Sequence, residues 1–227
     1  MSMKDAPAMD FSLVITNYNR ERFIDRAIRS CLMQIILRRP IEIIVVDDAS
    51  TDGSLDIIRE FSHDVQVFEQ DRNQGVAAAS NVGLANASGR YWMRVDADDF
   101  LNTYACAFLG SILDENPDID FVYCDHHRVD LRGVKVSRVR LDNDETLFEH
   151  GAGVLFRTEK LREIGGYDED LRNAEDRDLL MRLRAAGSKG YYLPVSLYRY
   201  YIHGANISLG DDRDGYRSMV TDRHSGD

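Results

Sequence analysis

Gly89-Arg90-Tyr91-Trp92-Met93-Arg94-Val95-Asp96-Ala97-Asp98-Asp99-Phe100 is a short β-branched and aromatic run that ends in three carboxylates within four residues. A buried strand cannot continue through Asp96, Asp98 and Asp99 without desolvating charge, so the acids belong at the strand's exit. In an open α/β sheet the crevice outside the carboxyl ends of the strands is where ligands bind. Three clustered carboxylates repel one another unless a cation sits among them, and a hard divalent ion, Mg2+ or Mn2+, is the usual solution. Such an ion would in turn hold phosphate oxygens. The plainer alternative is a set of acids in an exposed loop.

The segments before this stretch repeat its form. Residues 11–16 (FSLVIT) and 41–46 (IEIIVV) are compact apolar runs, each broken by a polar turn, Asn17-Tyr18-Asn19-Arg20 and Asp47-Asp48-Ala49-Ser50. Between them, apolar residues from Phe23 to Ile35 recur at helical spacing. Ser54 is placed to cap a second helix carrying Leu55, Ile57, Ile58 and Phe61. Residues 65–69 read as a third strand, and Asn73-Gln74-Gly75 leads into a small-residue helix that Gly89 ends. Asn102 can cap a helix bearing Phe108, Leu109, Ile112 and Leu113. Strand and helix in alternation predict a Rossmann-like α/β fold, a mostly parallel sheet with helices on both faces.

Beyond Pro117 the pattern changes. Residues 119–124 read as a strand and residues 129–139 as an exposed hairpin around Gly133, with Arg132, Lys135, Arg138 and Arg140 on a solvated face. A short strand at 154–157 precedes a helix that Thr158 can cap, and residues 174–186 form a helix stopped by Gly187. Two aromatic-rich strands follow at 191–193 and 196–202, and the polar tail after Gly210 is expected to be mobile. Residues 1–117 therefore read as a ligand-binding lobe and 118–227 as a smaller mixed lobe of the same domain.

With 39 acidic against 28 basic residues, a net charge of −11, the chain lacks the basic footprint of a nucleic-acid binder. An acidic protein that binds an anion needs local help from a metal or from backbone N–H groups. Cys31, Cys106 and Cys124 are odd in number and widely spaced, which predicts reduced, buried thiols in a cytoplasmic protein. The first ten residues lack a signal-peptide core, and no run approaches the roughly 18 apolar residues of a membrane span. Any membrane contact is then peripheral, at the inner face.

Four distant sites can meet on one rim of such a sheet: Thr16 to Asn19, Asp47-Asp48, Asn73 with Gly75, and Asp96 with Asp98. There Tyr18 can stack on a base, Asp48 can accept from a ring N–H, Asp96 can bind ribose hydroxyls and Asp98 can ligate a metal on a diphosphate. Each alone has a dull reading as an Asx-turn or cap residue.

Taken in order, "VITNYNRERFIDRAIRS", "IEIIVVDDASTDGS", "NQGVAAASNVGLANASGRYWMRVDADD" and "EIGGYDEDLRNAEDRDLLMRL" resemble the successive blocks of the family 2 glycosyltransferases, from about residue 12 to about residue 208. The resemblance implies the A-type nucleotide-sugar fold with a mixed C-terminal acceptor lobe. It also implies inverting transfer of a sugar from a nucleotide donor to an acceptor hydroxyl of a carbohydrate or glycolipid. By the same analogy Thr16, Tyr18 and Asp48 hold the nucleoside, Asp96-Ala97-Asp98 is the motif that grips ribose and metal, and Asp176 of the Glu175-Asp176 pair is the base. His203 matches a late position that supplies a metal or diphosphate contact. Ser80 stands where the family frequently has Arg, so a cationic contact to the diphosphate is either missing or supplied by another residue. A UDP-sugar is the expected donor because Asp48 suits a uracil N–H.

In such a single displacement a carboxylate takes the acceptor's proton, and a metal offsets the charge of the leaving diphosphate. Acids in the first turn of a helix also interact favourably with its dipole, which is the structural reading of Glu175-Asp176. The rivals are a phosphoacceptor receiver-like signalling module, disfavoured because residues 100–130 hold no lysine, and a Mg2+-dependent phosphatase with Asp96 as nucleophile. A relative that binds a nucleotide sugar without transferring it is the third.

Overall fold

The first apolar run begins a parallel ladder. In the computed structural model, which describes residues 9–36, 39–149, 151, 153–203 and 213–224, β1 (Phe11–Asn17) lies between β2 (Ile41–Asp47) and β4 (Tyr91–Asp96), with β3 (Gln66–Glu69) outside β2. Leu13, Ile15, Met93 and Val95 face one core with Ile24 and Ile28 of α1 (Ile24–Leu32), and Leu109 and Leu113 of α4 (Ala105–Glu115). Val14, Ile44, Val46 and Trp92 face the other, against Leu84 of α3 (Val76–Asn86) and Leu179, Leu180 and Leu183 of α7 (Glu175–Ala185). Both faces of each strand are thus covered, which is why these runs are continuously apolar. Burying each such aliphatic side chain is worth roughly 1.5–3 kcal/mol. A Cβ on Gly83 would come within 2.2 Å of Val14 Cγ1, so α3 needs small residues to lie this close to the sheet.

The second half joins the same sheet. Its order is β3-β2-β1-β4-β8-β6-β9-β5, completed by β5 (Phe100–Leu101), β6 (Phe121–Val129), β8 (Val154–Arg157) and β9 (Gly190–Tyr201). The strand β7 (Lys135–Val139) pairs antiparallel with β6, the hairpin expected around Gly133. Beside β4 runs β8, antiparallel, where the mixed second half of the sheet begins and the likeness to a receiver module ends. The remaining helices are α2 (Ser54–Glu60), α5 (Asp144–Glu149), α6 (Thr158–Glu163) and α8 (Arg213–His224).

Several expectations are corrected. The first helix ends at Leu32 rather than near Ile35, which is exposed. Ser54 is the first helical residue, not the cap, and Asp52 Oδ1 accepts from its N–H (3.0 Å). The Thr158 hydroxyl likewise does not cap its helix but donates to the Gly89 carbonyl, tying α6 to the entrance of β4. The two late strands are one, β9, whose pairing with β6 steps from Cys124↔Leu193 to Asp125↔Ser196. The skipped residues, Pro194 and Val195, form a bulge, as a residue without an N–H favours. The tail expected to be mobile carries α8 instead. Val220 is fully buried, Arg223 pairs with Asp168 (2.7 Å), and His224 lies 3.1 Å from Asp178. One apolar anchor among ion pairs was too weak a periodic signal to show in the sequence. Cys31, Cys106 and Cys124 are buried without disulfides, and burial pushes the Cys31 and Cys124 thiols up to about 12. Among the described residues no helix is long and apolar enough to cross a membrane.

Candidate active site

Strand register builds the rim. Thr16 pairs with Asp96 on one side and with Val46 on the other, and Asn17 with Asp47, so the chain leaves β1, β2 and β4 along one edge. A cavity of about 530 Å³ opens there, lined by Thr16, Tyr18, Asp48, Asn73, Gly75, Asp96, Asp98, Glu175 and Asp176. Nine of the positions singled out in the sequence, drawn from five separate segments, therefore meet. Non-glycine residues with left-handed backbone cluster in the surrounding loops: Asn19 (φ 52°), Ala49 (φ 60°) and Ala174 (φ 62°). Such strain persists where the surroundings impose it, commonly at functional sites.

Tyr18 is 42 % exposed, an open aromatic face at the cavity's edge. Asp48 is buried, and its carboxylate accepts from Gln70 Nε2 (2.7 Å), Gln74 N (2.7 Å) and Gly75 N (2.8 Å). It thereby folds the turn that enters α3. Burial raises its pKa, against the lowering effect of the two amides and of Arg172. Of the roughly four lone-pair sites of a carboxylate, one remains for a ligand.

Asp47 does not join the cavity. It is buried, with Oδ1 accepting from Asn17 Nδ2 (2.7 Å) and Ser50 Oγ (2.6 Å) and Oδ2 accepting from Ser50 N (2.9 Å), which commits the carboxylate to folding its own loop. The three acids of the opening stretch also separate. Asp99 turns inward, accepts from the Tyr201 N–H (2.9 Å), and burial raises its carboxyl well above the usual range. Only Asp96 and Asp98 face the cavity.

Asp98 Oδ2 lies 2.8 Å from Arg20 Nε and 2.9 Å from His203 Nε2, and His203 stacks on Phe23 with ring centroids 4.8 Å apart. Burial opposes charge on Asp98, but His203 and Arg20 overcome it and hold the pKa below the usual value. No group of three or more His, Cys, Asp or Glu side chains that could hold a metal occurs among the described residues. Asp98 and His203 are donor types that a divalent ion can accept from a protein, and in this structure they are bonded to each other.

Arg94 is the centre of the other cluster. Its guanidinium contacts Asp96 Oδ1 through Nε (3.0 Å), Glu175 Oε1 through Nη1 (3.1 Å) and Asp176 Oδ2 through Nη2 (2.7 Å). Burial nevertheless dominates at Asp176, and with the repulsion of Glu175 and Asp96 it raises the carboxyl to about 7 against the pull of Arg94. Gly151 makes room for this carboxylate, since a Cβ there would meet Asp176 Cγ at 2.2 Å. Neither Arg94 nor Gly151 was singled out in the sequence. The signal for Arg94 was present: a guanidinium inside an apolar strand needs buried counter-ions.

Ser80 lies outside the cavity, fully buried in α3, its hydroxyl donating to the Val76 carbonyl. Cations reach the cavity from other segments, including Arg172 and Arg177.

Residues 12–165 match the profile of glycosyl transferase family 2. The chain belongs to that family. Among curated relatives, the Staphylococcus aureus poly(ribitol-phosphate) beta-N-acetylglucosaminyltransferase TarS is 27 % identical over 221 residues, covering 89 % of this chain and 38 % of TarS. An Escherichia coli chondroitin synthase is 28 % identical over 209 residues, covering 87 % of this chain and 30 % of the synthase. The chain thus spans about a third of the length of these two relatives. The crystal structure of S. aureus TarS 1–349 in complex with UDP-GlcNAc superimposes with a TM-score of 0.77 at 24 % identity, covering 93 % of this chain and 65 % of that one. The fold is accordingly the A-type fold that the family resemblance implied.

Proposed function

We propose that this family 2 member is an inverting, metal-dependent glycosyltransferase. It moves a sugar from a nucleotide sugar, in the first instance a UDP-sugar, to a hydroxyl of a carbohydrate or glycolipid acceptor in polysaccharide or glycolipid assembly. Residues 1–117 supply the donor side, and residues 118–227 the acceptor side and the base. The observation that carries this reading is the pair of unlike acids in one cavity: Asp98 held ionised, Asp176 raised to about 7. Groups whose environments drive their titrations apart take different chemical roles.

On this reading Tyr18 stacks on the base, Asp48 accepts its ring N–H through the remaining lone pair, and Thr16 and Asp96 bind the ribose. Asn73 and Gly75 form the floor, and Arg172 supplies the diphosphate cation that Ser80 does not. The exposed ring of Tyr18, and the long bond of Arg172 to Asn73 Oδ1 (3.5 Å), are consistent with surfaces awaiting a ligand. TarS, solved with UDP-GlcNAc, supports the choice of donor.

Asp98 and His203 would hold Mn2+ or Mg2+. Bound there, the ion would supply Lewis-acid stabilisation of the departing diphosphate. The protein's own contribution is the base. The acceptor hydroxyl loses its proton to Asp176 as its oxygen attacks the anomeric carbon from the face opposite the leaving group. A pKa near the working pH suits that task, because the group is ionised often enough to act and basic enough to take the proton. Arg94 aims the carboxylate, and Glu175 shares the guanidinium.

Thermal-shift titration of the full chain with UDP, GDP and CMP, each with Mn2+, Mg2+ or EDTA, tests the donor site. A nucleotide at a hundred times its dissociation constant adds about 2.7 kcal/mol of stability. UDP with Mn2+ is expected to raise the melting temperature most, and UDP-GlcNAc to release UDP when acceptor is added. Failure of every nucleoside diphosphate to stabilise the chain with either ion would overturn the reading.

A further inference from the structure

In this net acidic chain the arginines of the cavity are unequally matched. Arg94 contacts three carboxylates and Arg20 contacts Asp98. Arg172 and Arg177 line the same cavity, and neither is in ion-pair contact with a carboxylate among the described residues. Arg177 is half-buried. Its Nη2 donates to Thr221 Oγ1 (3.1 Å), its Nε is buried without a partner, and its guanidinium carbon lies 6.0 Å from the centre of the Phe148 ring. A half-buried guanidinium with one neutral partner and an orphaned donor is one whose counter-charge the described residues do not supply.

The two arginines stand in different surroundings. Arg172 lies over Gly75 and acts on Asp48, at the wall built from β2 and α3 where the nucleotide is proposed. Arg177 follows Asp176 in α7, and its neighbours come from α5 (Phe148) and α8 (Thr221). The donor diphosphate can satisfy the first. The second sits beside the base, where the acceptor hydroxyl has to arrive.

We propose that the acceptor carries an anionic group, a phosphate or a carboxylate, which Arg177 receives while the acceptor's hydroxyl faces Asp176. The inference rests on the donor and base assignments above. Guanidinium suits both anions, because its planar donors match two oxygens of either. Thr221 holds the guanidinium from α8, and Phe148 walls one side of it.

The test uses the full chain saturated with UDP and Mn2+, titrated calorimetrically with glycerol 3-phosphate against glycerol, and with methyl glucuronide against methyl glucoside. At least one charged probe is expected to bind more tightly than its neutral counterpart, and the stronger of the two identifies the class. Arg177→Met should weaken the charged probe about tenfold, and Arg177→Lys should recover part of the loss. UDP titrations of each variant report whether the site is still folded. Equal binding of charged and neutral probes, absence of binding by all four, or unchanged affinity in Arg177→Met would overturn the inference while leaving UDP binding intact. Failure of the wild-type chain to bind UDP would instead defeat the donor reading. The same probes on unliganded wild type, Arg177→Met and Arg177→Lys would then still decide whether Arg177 takes the anion.

Discussion

Asp98 and Asp176 line one cavity, and each is bonded to an arginine at 2.7–2.8 Å, yet their carboxyls titrate in opposite directions from the ordinary value. The difference lies in how many charges share each cation. Asp98 accepts from both Arg20 and His203, so among the described residues two donors meet on one carboxylate. Asp176 is one of three acids gathered on Arg94, and one guanidinium cannot offset the burial and mutual repulsion of all three. Distance to the nearest arginine is the same at both; stoichiometry decides.

The largest expected effect comes from removing the raised acid. Asp176→Asn keeps the shape and loses the base, so transfer should fall by about 10²–10⁴-fold while UDP affinity is retained. Stability separates the two acids further. A carboxyl whose folded pKa is about 7 takes up a proton on folding between roughly pH 4 and 7, so wild-type stability falls as pH rises across that window. Asn carries no such penalty. The melting temperature of Asp176→Asn should therefore exceed wild type at pH 8 and lose that advantage towards pH 4. Asp98→Asn should instead lie below wild type by a nearly constant margin from pH 4 to 8, because a carboxyl held below its ordinary value contributes stability that is lost only as pH falls below about 4. Melting curves of both variants at pH 4, 6 and 8 decide the matter, and parallel behaviour would refute the contrast.

Gly151→Ala leaves every charge in place and attacks geometry alone. The new methyl would stand 2.2 Å from Asp176 Cγ, so the carboxylate has to swing away from its present position on Arg94. A misplacement of about 1 Å can cost about 10²-fold in rate. Transfer is expected to drop by that order with UDP affinity unchanged, measured as kcat against the nucleotide's dissociation constant.

Much of this cavity was legible from the chain because loops at strand ends announce themselves. Asp96 and Asp98 interrupt an apolar run, Asp48 follows another, and strand order places them on one edge. Asp47 and Asp99 look the same in sequence and differ in fact, since which member of an acidic pair points inward depends on local partners such as Ser50 and the Tyr201 N–H. The mixed half of the sheet was less legible. The joining of β9 across Pro194 and the insertion of β8 beside β4 are non-local pairings that no periodicity encodes. The hold of α8 on α7 and on the loop before it depends on His224 meeting Asp178 and Arg223 meeting Asp168, partners 46 and 55 residues away. Gly151 carried no sign of its role, which exists only because α7 brings Asp176 against it.

Arg94→Lys probes the stoichiometry with a milder change. Lysine keeps the charge but replaces a planar fork holding three acids with a single ammonium. Less of the lowering pull then reaches Asp176, so the midpoint at which transfer rises with pH should move from about 7 to a higher value. A fall in rate of about fivefold at pH 7 follows from a one-unit rise in that midpoint, because the ionised fraction drops from about one half to about one eleventh. The pH profile of kcat distinguishes this from simple destabilisation, which would lower the rate at every pH alike.

The smallest effect asks whether backbone strain helps to hold the raised acid. Ala174 (φ 62°) immediately precedes α7, and Ala49 (φ 60°) occupies a matching left-handed position in the loop after β2, where Asp47 and Ser50 hold the turn. Glycine at either position relieves a left-handed penalty of about 1–2 kcal/mol and adds about 0.5–1 kcal/mol of unfolded-state entropy. Both variants should therefore gain roughly 0–1.5 kcal/mol in stability. Their rates should differ. Ala174→Gly loosens the residue that sets the first turn carrying Glu175 and Asp176, whereas Ala49→Gly touches a loop already fixed by its own hydrogen bonds. A fall in kcat of a few-fold in Ala174→Gly, with Ala49→Gly at the wild-type value, would assign the strain at Ala174 to positioning the base. Equal rates in the two variants would reduce it to loop geometry.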